Sequence, residues 1–197
     1  MLGLAAWAQE FPIAEVTVDY TYARSNPSNK YSQPGSLNGG GGSYTLNLNQ
    51  YLGIKADLQG YGSTQHSFNI PPNANFPQGA TGTAQGNLFT YMFGPEIKLR
   101  SPTWQPFFHT LVGGAHTTLY ANAESSICSG NGICKSSSAP SNNAFAAAFG
   151  GGLNIKLDKY LAFMPVEIDY VFSHFNNEFT SNQHNFRYSA GMVFFNF

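Results

Sequence analysis

Wherever this sequence alternates with period two, its ionised residues fall on one face and its aliphatic and aromatic residues on the other. That is the pattern of strands whose two faces meet different surroundings. In Ile13 to Arg24, Ala14, Val16, Val18, Tyr20 and Tyr22 oppose Glu15, Thr17, Asp19 and Thr21. Tyr44, Leu46 and Leu48 oppose Thr45, Asn47 and Asn49, and Ile54, Ala56 and Leu58 oppose Lys55, Asp57 and Gln59. From Gly86 to Arg100, Phe89, Tyr91, Phe93, Ile97 and Leu99 oppose Thr90, Gly94, Glu96, Lys98 and Arg100. A fifth strand covers Pro106 to Ala121, where the opposite parity of His109 and His116 predicts a β-bulge near Gly113-Gly114. In the sixth, Ala144 to Leu157, Phe145, Phe149, Leu153 and Ile155 face away from Ala146, Ala148, Gly150 and Gly152. The seventh, Leu161 to Phe172, opposes Met164, Val166, Ile168 and Tyr170 to Glu167 and Asp169. The eighth sets Phe186, Tyr188, Ala190, Met192 and Phe194 against Arg187, Ser189 and Gly191.

The sense of the two faces decides what the sheet encloses. A soluble barrel is apolar within and charged without. Here the face that carries Thr, Asn, Ser, Gly and charge cannot form a hydrophobic core, so the apolar face must look into lipid. Only 10% of the 197 residues are charged, against roughly 25% in ordinary soluble domains. No apolar stretch approaches the ~20 residues of a spanning helix. The longest candidate, Ala144 to Leu153, is short and glycine-rich. A closed β-barrel is the other structure that satisfies every backbone group inside a bilayer.

Connections between strands alternate in length. Long polar loops are predicted at Ser25 to Gly42, Ser63 to Gln85, Asn122 to Asn143 and His174 to His184. Short turns fall at "NQYLG", "RSPTWQ" and "LDKY". This puts every long loop at one end of an up-and-down antiparallel meander of eight strands, as in outer-membrane barrels. Ten strands result if Ser63–Gln85 or Asn122–Asn143 holds another hairpin. Tyr51, Trp104 and Tyr160 mark the short turns, and Tyr22, Tyr44, Tyr120 and Phe172 lie toward the long loops, as two interfacial girdles would require. At the N-terminus, Ala6-Trp7-Ala8 fits small-x-small cleavage. Residues 1–8 are therefore expected to be a signal-peptide remnant and residues 9–197 the barrel.

With these residues in view, the chain resembles the small eight-stranded outer-membrane barrels of Gram-negative bacteria, the type of the OmpA membrane domain and OmpX. The loop alternation carries the resemblance, together with "FGPEIKLR" and "FGGGLNIKL" entering short turns and the terminal "MVFFNF". It implies residence in the outer membrane, contact with lipids including lipopolysaccharide, and a role in adhesion or envelope integrity. It also implies that Phe197 is read by the barrel assembly machinery. Parity raises one difficulty: if Phe194 faces lipid, Phe197 does not. Either Phe194-Phe195 holds a phase slip, or Phe195 and Phe197 face outward and the strand's earlier phase is reversed.

Eight strands leave a bore that side chains fill. The inward charges Glu15, Asp19, Lys55, Asp57, Glu96, Lys98, Glu167, Asp169 and Arg187, with Arg100 at a strand end, should form a salt-bridged plug; a narrow ion or water path is the alternative. Cys128 and Cys134 in "CSGNGIC" are expected to form a disulfide, as an oxidising compartment permits. Neither cofactor nor metal is expected. His174 and His184 with Glu178 are read as a solvated loop, and "GGGG" at Gly39 to Gly42 as loop flexibility. Ser173-His174 resembles the pair of a lipid-A deacylase, but adjacent strand residues point to opposite faces. The expectation is a non-enzymatic, monomeric surface barrel whose long loops meet an extracellular ligand. A small channel and a lipid-modifying enzyme stand as alternatives. With a net charge of −1, no nucleic-acid partner is expected.

Overall fold

The computed structural model describes residues 11–27, 35–62, 66–70, 80–122, 142–175 and 182–197. Nine strands appear: β1 (Ala14–Pro27), β2 (Gly35–Asn47), β3 (Leu52–Gly62), β4 (His66–Ile70), β5 (Ala80–Lys98), β6 (Trp104–Asn122), β7 (Asn142–Lys156), β8 (Leu161–Phe175) and β9 (Asn182–Asn196). Each long strand pairs antiparallel with its sequence neighbours. β1 pairs β9 from Ala14–Asn196 to Pro27–Gln183, and β3 pairs β5 from Leu52–Ile97 to Tyr61–Leu88. These contacts close eight strands into an up-and-down barrel.

β4 is not a ninth stave. It pairs only with Ala80–Ala84, at the far end of β5, and so extends the β3–β5 hairpin beyond the barrel wall. Ser63–Gln85 thus contributes one tall hairpin rather than two further staves, and the described strands close as eight; residues 123–141 lie outside the described residues. The same lengthening trims the other loops: β1 continues to Pro27 and β2 begins at Gly35. At up to 19 residues, strands exceed the ~9–11 that span a bilayer, so their ends project past it.

The glycine run is the clearest revision. Gly39 to Gly42 lies inside β2, paired on one side with Thr21 to Val18 and on the other with Tyr61 to Leu58. Absence of a side chain matters most at Gly41. A Cβ there would lie 2.1 Å from the Leu58 carbonyl oxygen and 2.5 Å from Gln59 Oε1. Glycine lets two strands and the inward Gln59 side chain share this space, a role unrelated to loop flexibility.

Phase is otherwise continuous, with instructive exceptions. β6 keeps one register with β5 and β7 through Gly113-Gly114, so the predicted bulge is absent. His109 faces inward and His116 outward because they sit an odd number of residues apart on an unbroken strand. The irregularity in β8 lies instead between Met164 and Glu167, at Pro165. Proline cannot donate to the ladder and is tolerated at a bulge. The extra residue turns Met164 into the lumen, where it is buried, while Val166 and Ile168 keep the outward phase. In β9, Phe194 faces out and Phe195 faces in without a slip. Phe197 lies past the strand end, its ring edge-on to Tyr160 at 6.0 Å. Both proposed resolutions of its parity therefore fall away.

Outside, Val18, Phe93, Val112, Phe149, Ile168 and Tyr188 belong to a belt of exposed apolar side chains, with Tyr51, Trp104 and Tyr160 exposed at the short turns. Tyr44 pairs with Val16, nearer the short-turn half than expected. Phe93, 61% exposed, lies midway along the belt. Phe93→Arg should cost the folded barrel about 2–4 kcal/mol in lipid, as cations do near the midplane of such walls. Denaturant titration in vesicles measures it, and a cost near zero would place this face in water. Gly41→Ala should destabilise by ~1–3 kcal/mol through overpacking. Gly60→Ala, where a Cβ meets nothing closer than 3.8 Å, should be neutral or slightly stabilising in the same titration.

Candidate functional site: an ion-paired lumen

Alternation within each strand sends one polar or charged side chain in every two into the bore, and closure gathers them from all sides. Asp57 on β3, Asp169 on β8 and Arg187 on β9 meet at mid-height. Arg187 Nη1 lies 2.6 Å from Asp57 Oδ2, while its Nη2 and Nε lie 2.6 and 2.7 Å from Asp169 Oδ2. The guanidinium spans the lumen between two carboxylates, the planar multi-donor geometry that arginine supplies and lysine does not. All three residues are essentially inaccessible to solvent.

Below this clamp, toward the short turns, Lys55 Nζ lies 3.1 Å from both Glu167 oxygens and 3.8 Å from Glu96. Lys98 pairs with Glu96 at 3.0 Å and with Glu15. Arg100 reaches the second Glu15 oxygen at 2.7 Å, and Asn47 Nδ2 donates to the same oxygen at 2.9 Å. Both ammonium groups stand over the Phe107 ring, Lys55 at 5.1 Å and Lys98 at 5.2 Å from its centroid. An aromatic face so placed attracts both cations. Above the clamp, neutral donors hold Asp19: Gln59 Nε2 donates to it at 3.0 and 3.1 Å and the Thr21 hydroxyl at 2.7 Å.

His109 was not among the charges assigned to the lumen. It is buried, with Nε2 2.8 Å from Asp169 Oδ1 and 3.9 Å from Glu167 Oε1, its ring stacked on Phe107 at 6.0 Å. Its parity with Phe107 and Leu111 carried this position, but the expected bulge obscured it. Gly150 faces Asp169 across the β7–β8 ladder. A Cβ there would lie 2.0 Å from Asp169 Oδ1, so the small-residue face of β7 is the space into which the carboxylate folds.

The lumen is not wholly polar. Met92, Leu111, Ala115, Ala144, Ala146, Ala148 and Val171 form a buried apolar cluster on the long-loop half. Phe107, Ala162, Met164, Val193 and Phe195 form another toward the short turns. The inward face does include hydrophobic packing, contrary to the expectation from its Thr, Asn and Gly content. These clusters flank the ion pairs and raise the cost of leaving any of them unpaired.

Other singled-out residues lie elsewhere. Ser173 is buried inside and its neighbour His174 exposed outside, so the dipeptide is divided by the wall. His184 sits on the outer surface among Tyr170 and Phe172 and bonds the Tyr170 hydroxyl. Glu178, Cys128, Cys134, and residues 1–10 lie outside the described residues.

An apolar exterior around a buried, ion-paired interior defines a protein that spans a membrane by a closed β-barrel. The chain belongs to the outer membrane protein beta-barrel domain family, whose model matches residues 1–194, and it is thus an outer-membrane protein of the Gram-negative type. No curated protein sequence matches it. It is similar to Ail, the attachment invasion locus protein of Yersinia pestis: 14% identity, TM-score 0.55, 92% of this chain against 99% of that one. Neisserial surface protein A is 11% identical with TM-score 0.58, covering 92% of this chain and 96% of the other. OprG of Pseudomonas aeruginosa is 13% identical with TM-score 0.52, covering 94% and 97%. At such identities the likeness is one of fold.

Removing Arg187 leaves Asp57 and Asp169 without their shared cation. Arg187→Met should cost about 3–5 kcal/mol, the penalty for breaking a buried ion pair on one side only. Arg24→Met, on an exposed side chain, should change stability by less than about 0.5 kcal/mol. Unfolding in lipid vesicles compares the two; equal effects would show that the clamp does not hold the lumen.

Proposed function

We propose that this chain is a closed, non-conducting barrel that serves as a rigid outer-membrane platform for surface interaction. One observation carries the reading: Arg187 bridges the bore between β3 and β8, with apolar clusters on both sides of the ion-paired belt. A lumen occupied in this way supports presentation of its strand ends and loops rather than transport. Strands longer than the bilayer requires, above all the β4–β5 hairpin, carry the ends of the wall outward on that side.

The interaction proposed is with an uncharged polar or carbohydrate surface through the Tyr-, Asn- and Ser-rich loops. Ail has been solved with the heparin analogue sucrose octasulfate. This chain has nine Lys and Arg against ten Asp and Glu, which gives no basic surplus for a sulfated ligand. Lipopolysaccharide is the proposed lipid neighbour of the outer wall, and Phe197 the proposed contact for assembly. Processing of residues 1–8, a Cys128–Cys134 disulfide and a monomeric state belong to the same proposal. A narrow passive channel is a second reading, drawn from a small cavity lined by Tyr61, Thr90, Val171, Asn185 and Arg187 on the long-loop side of the clamp.

Planar-bilayer recording of the refolded protein separates the readings. Closed platforms should show no unitary steps in concentrated potassium chloride. Reproducible steps of defined size would overturn the proposal in favour of the channel.

A further inference from the structure

We infer that the lumen holds a divalent transition-metal site formed by His109, Glu167 and Asp169. One ligand atom from each lies within 4.8 Å of the others, and all three residues are buried. Two come from β8 and one from β6, set at one height by the β6–β7–β8 ladder in which Gly150 pairs with both His109 and Asp169.

Asp169 divides its two oxygens between the guanidinium and the imidazole, and Glu167 Oε1 is the second carboxylate oxygen near that imidazole. Asp169 Oδ2 accepts a hydrogen bond from Arg187 Nε at 2.7 Å and lies 2.6 Å from Nη2, leaving Oδ1 turned to His109 Nε2 at 2.8 Å. Glu167 Oε1 lies 3.9 Å from the same nitrogen, and Lys55 contacts both Glu167 oxygens. Donor atoms each about 2.0–2.2 Å from one ion stand roughly 3–3.5 Å apart, so binding would widen the His109–Asp169 pair and draw Glu167 Oε1 inward. Arg187 and Lys55 would then orient the ligating carboxylates from behind, as outer partners do in metal sites.

Charge supplies the second, independent argument. Among the described lumen residues, six carboxylates (Glu15, Asp19, Asp57, Glu96, Glu167 and Asp169) face four fixed cations (Lys55, Lys98, Arg100 and Arg187). The deficit is two positive charges in a space where uncompensated charge is expensive. One divalent ion closes it. Coordination uses the Nε2 lone pair, so the imidazole carries its proton on Nδ1, an atom without a hydrogen-bond partner among the described residues. Mixed imidazole and carboxylate donors suit zinc or manganese rather than calcium. The site is independent of whether the barrel conducts.

The test is refolding of the full chain into detergent in the presence of Zn²⁺, and separately of Mn²⁺, followed by gel filtration and elemental analysis. We expect one ion retained per chain with at least one of the two metals, loss of that ion in His109→Ala, and retention in His184→Ala, which alters an exterior histidine. Chains that retain neither metal, or metal retained equally by His109→Ala, would overturn the site and show the deficit to be met by protons. If His109→Ala does not fold, X-ray absorption of Co²⁺-loaded wild-type protein decides. One imidazole nitrogen with carboxylate oxygens supports the site, and several imidazoles or oxygen-only coordination overturn it.

Discussion

Inside hydrocarbon no water is present to receive a stray N–H or carbonyl, and the β3–β5 seam follows from that. With Leu52 to Tyr61 bonded to Ile97 to Leu88, the sheet has no edge within the bilayer, and ladder pairing runs from strand to strand around the wall, interrupted at the β8 irregularity. Closure then fixes the rest. With eight strands it makes the bore narrow, and the alternation of each strand delivers polar side chains into it from every direction. Those side chains must satisfy one another, which is why Asp57, Asp169 and Arg187, far apart in sequence, converge within hydrogen-bond distance.

Much of this was legible because a strand's period is two and the contrast between its surroundings is large. Glu15, Lys55, Glu96 and Glu167 could each be placed inside from neighbours alone, since a one-residue slip would move a charge into lipid. Parity failed where the backbone departs from that period. Met164 looks outward by counting from Ile168, and only the extra residue at Pro165 turns it inward. Gly39 to Gly42 resembled a loop because glycine has weak strand propensity. What holds it in β2 is the need of its neighbours for space, a property of Gln59 and of the adjoining backbone rather than of the run itself. Likewise His116 and His109 are a simple consequence of continuous alternation, and invoking a bulge added a departure where none occurs.

The lumen was legible as a set of residues but not as a set of pairs. Sequence parity says that Arg187 is inside. It does not say that its guanidinium passes over Asp57 and Asp169 rather than Glu15, because that depends on the relative heights of β3, β8 and β9. His109 was missed for a related reason: imidazole carries no fixed charge to contrast with lipid, so its direction is weakly marked in sequence. The apolar clusters escaped because alanine, methionine and leucine on an inward face are indistinguishable, one at a time, from outward residues. Their meaning appears only when Leu111, Ala148 and Val171 are found on three adjoining strands.

Packing also assigns separate tasks to the two ends of the molecule. The short-turn end gathers Glu15, Lys98 and Arg100 beside Phe195, the register partner of Glu15, and its strands stop where Tyr51, Trp104 and Tyr160 are exposed. At the other end β4 and the extended parts of β1, β5 and β6 leave the bilayer with ladder pairing intact. Residues there no longer have to face lipid on one side, so they are released from the constraint that ties parity to hydrophobicity below. Sequence can change at that end without disturbing the clamp, because the energetics of closure reside in the wall and the lumen. A barrel built on this division keeps its fold at very low sequence identity, because the demands of closure fall on the wall and the lumen and leave the projecting strand ends free to vary.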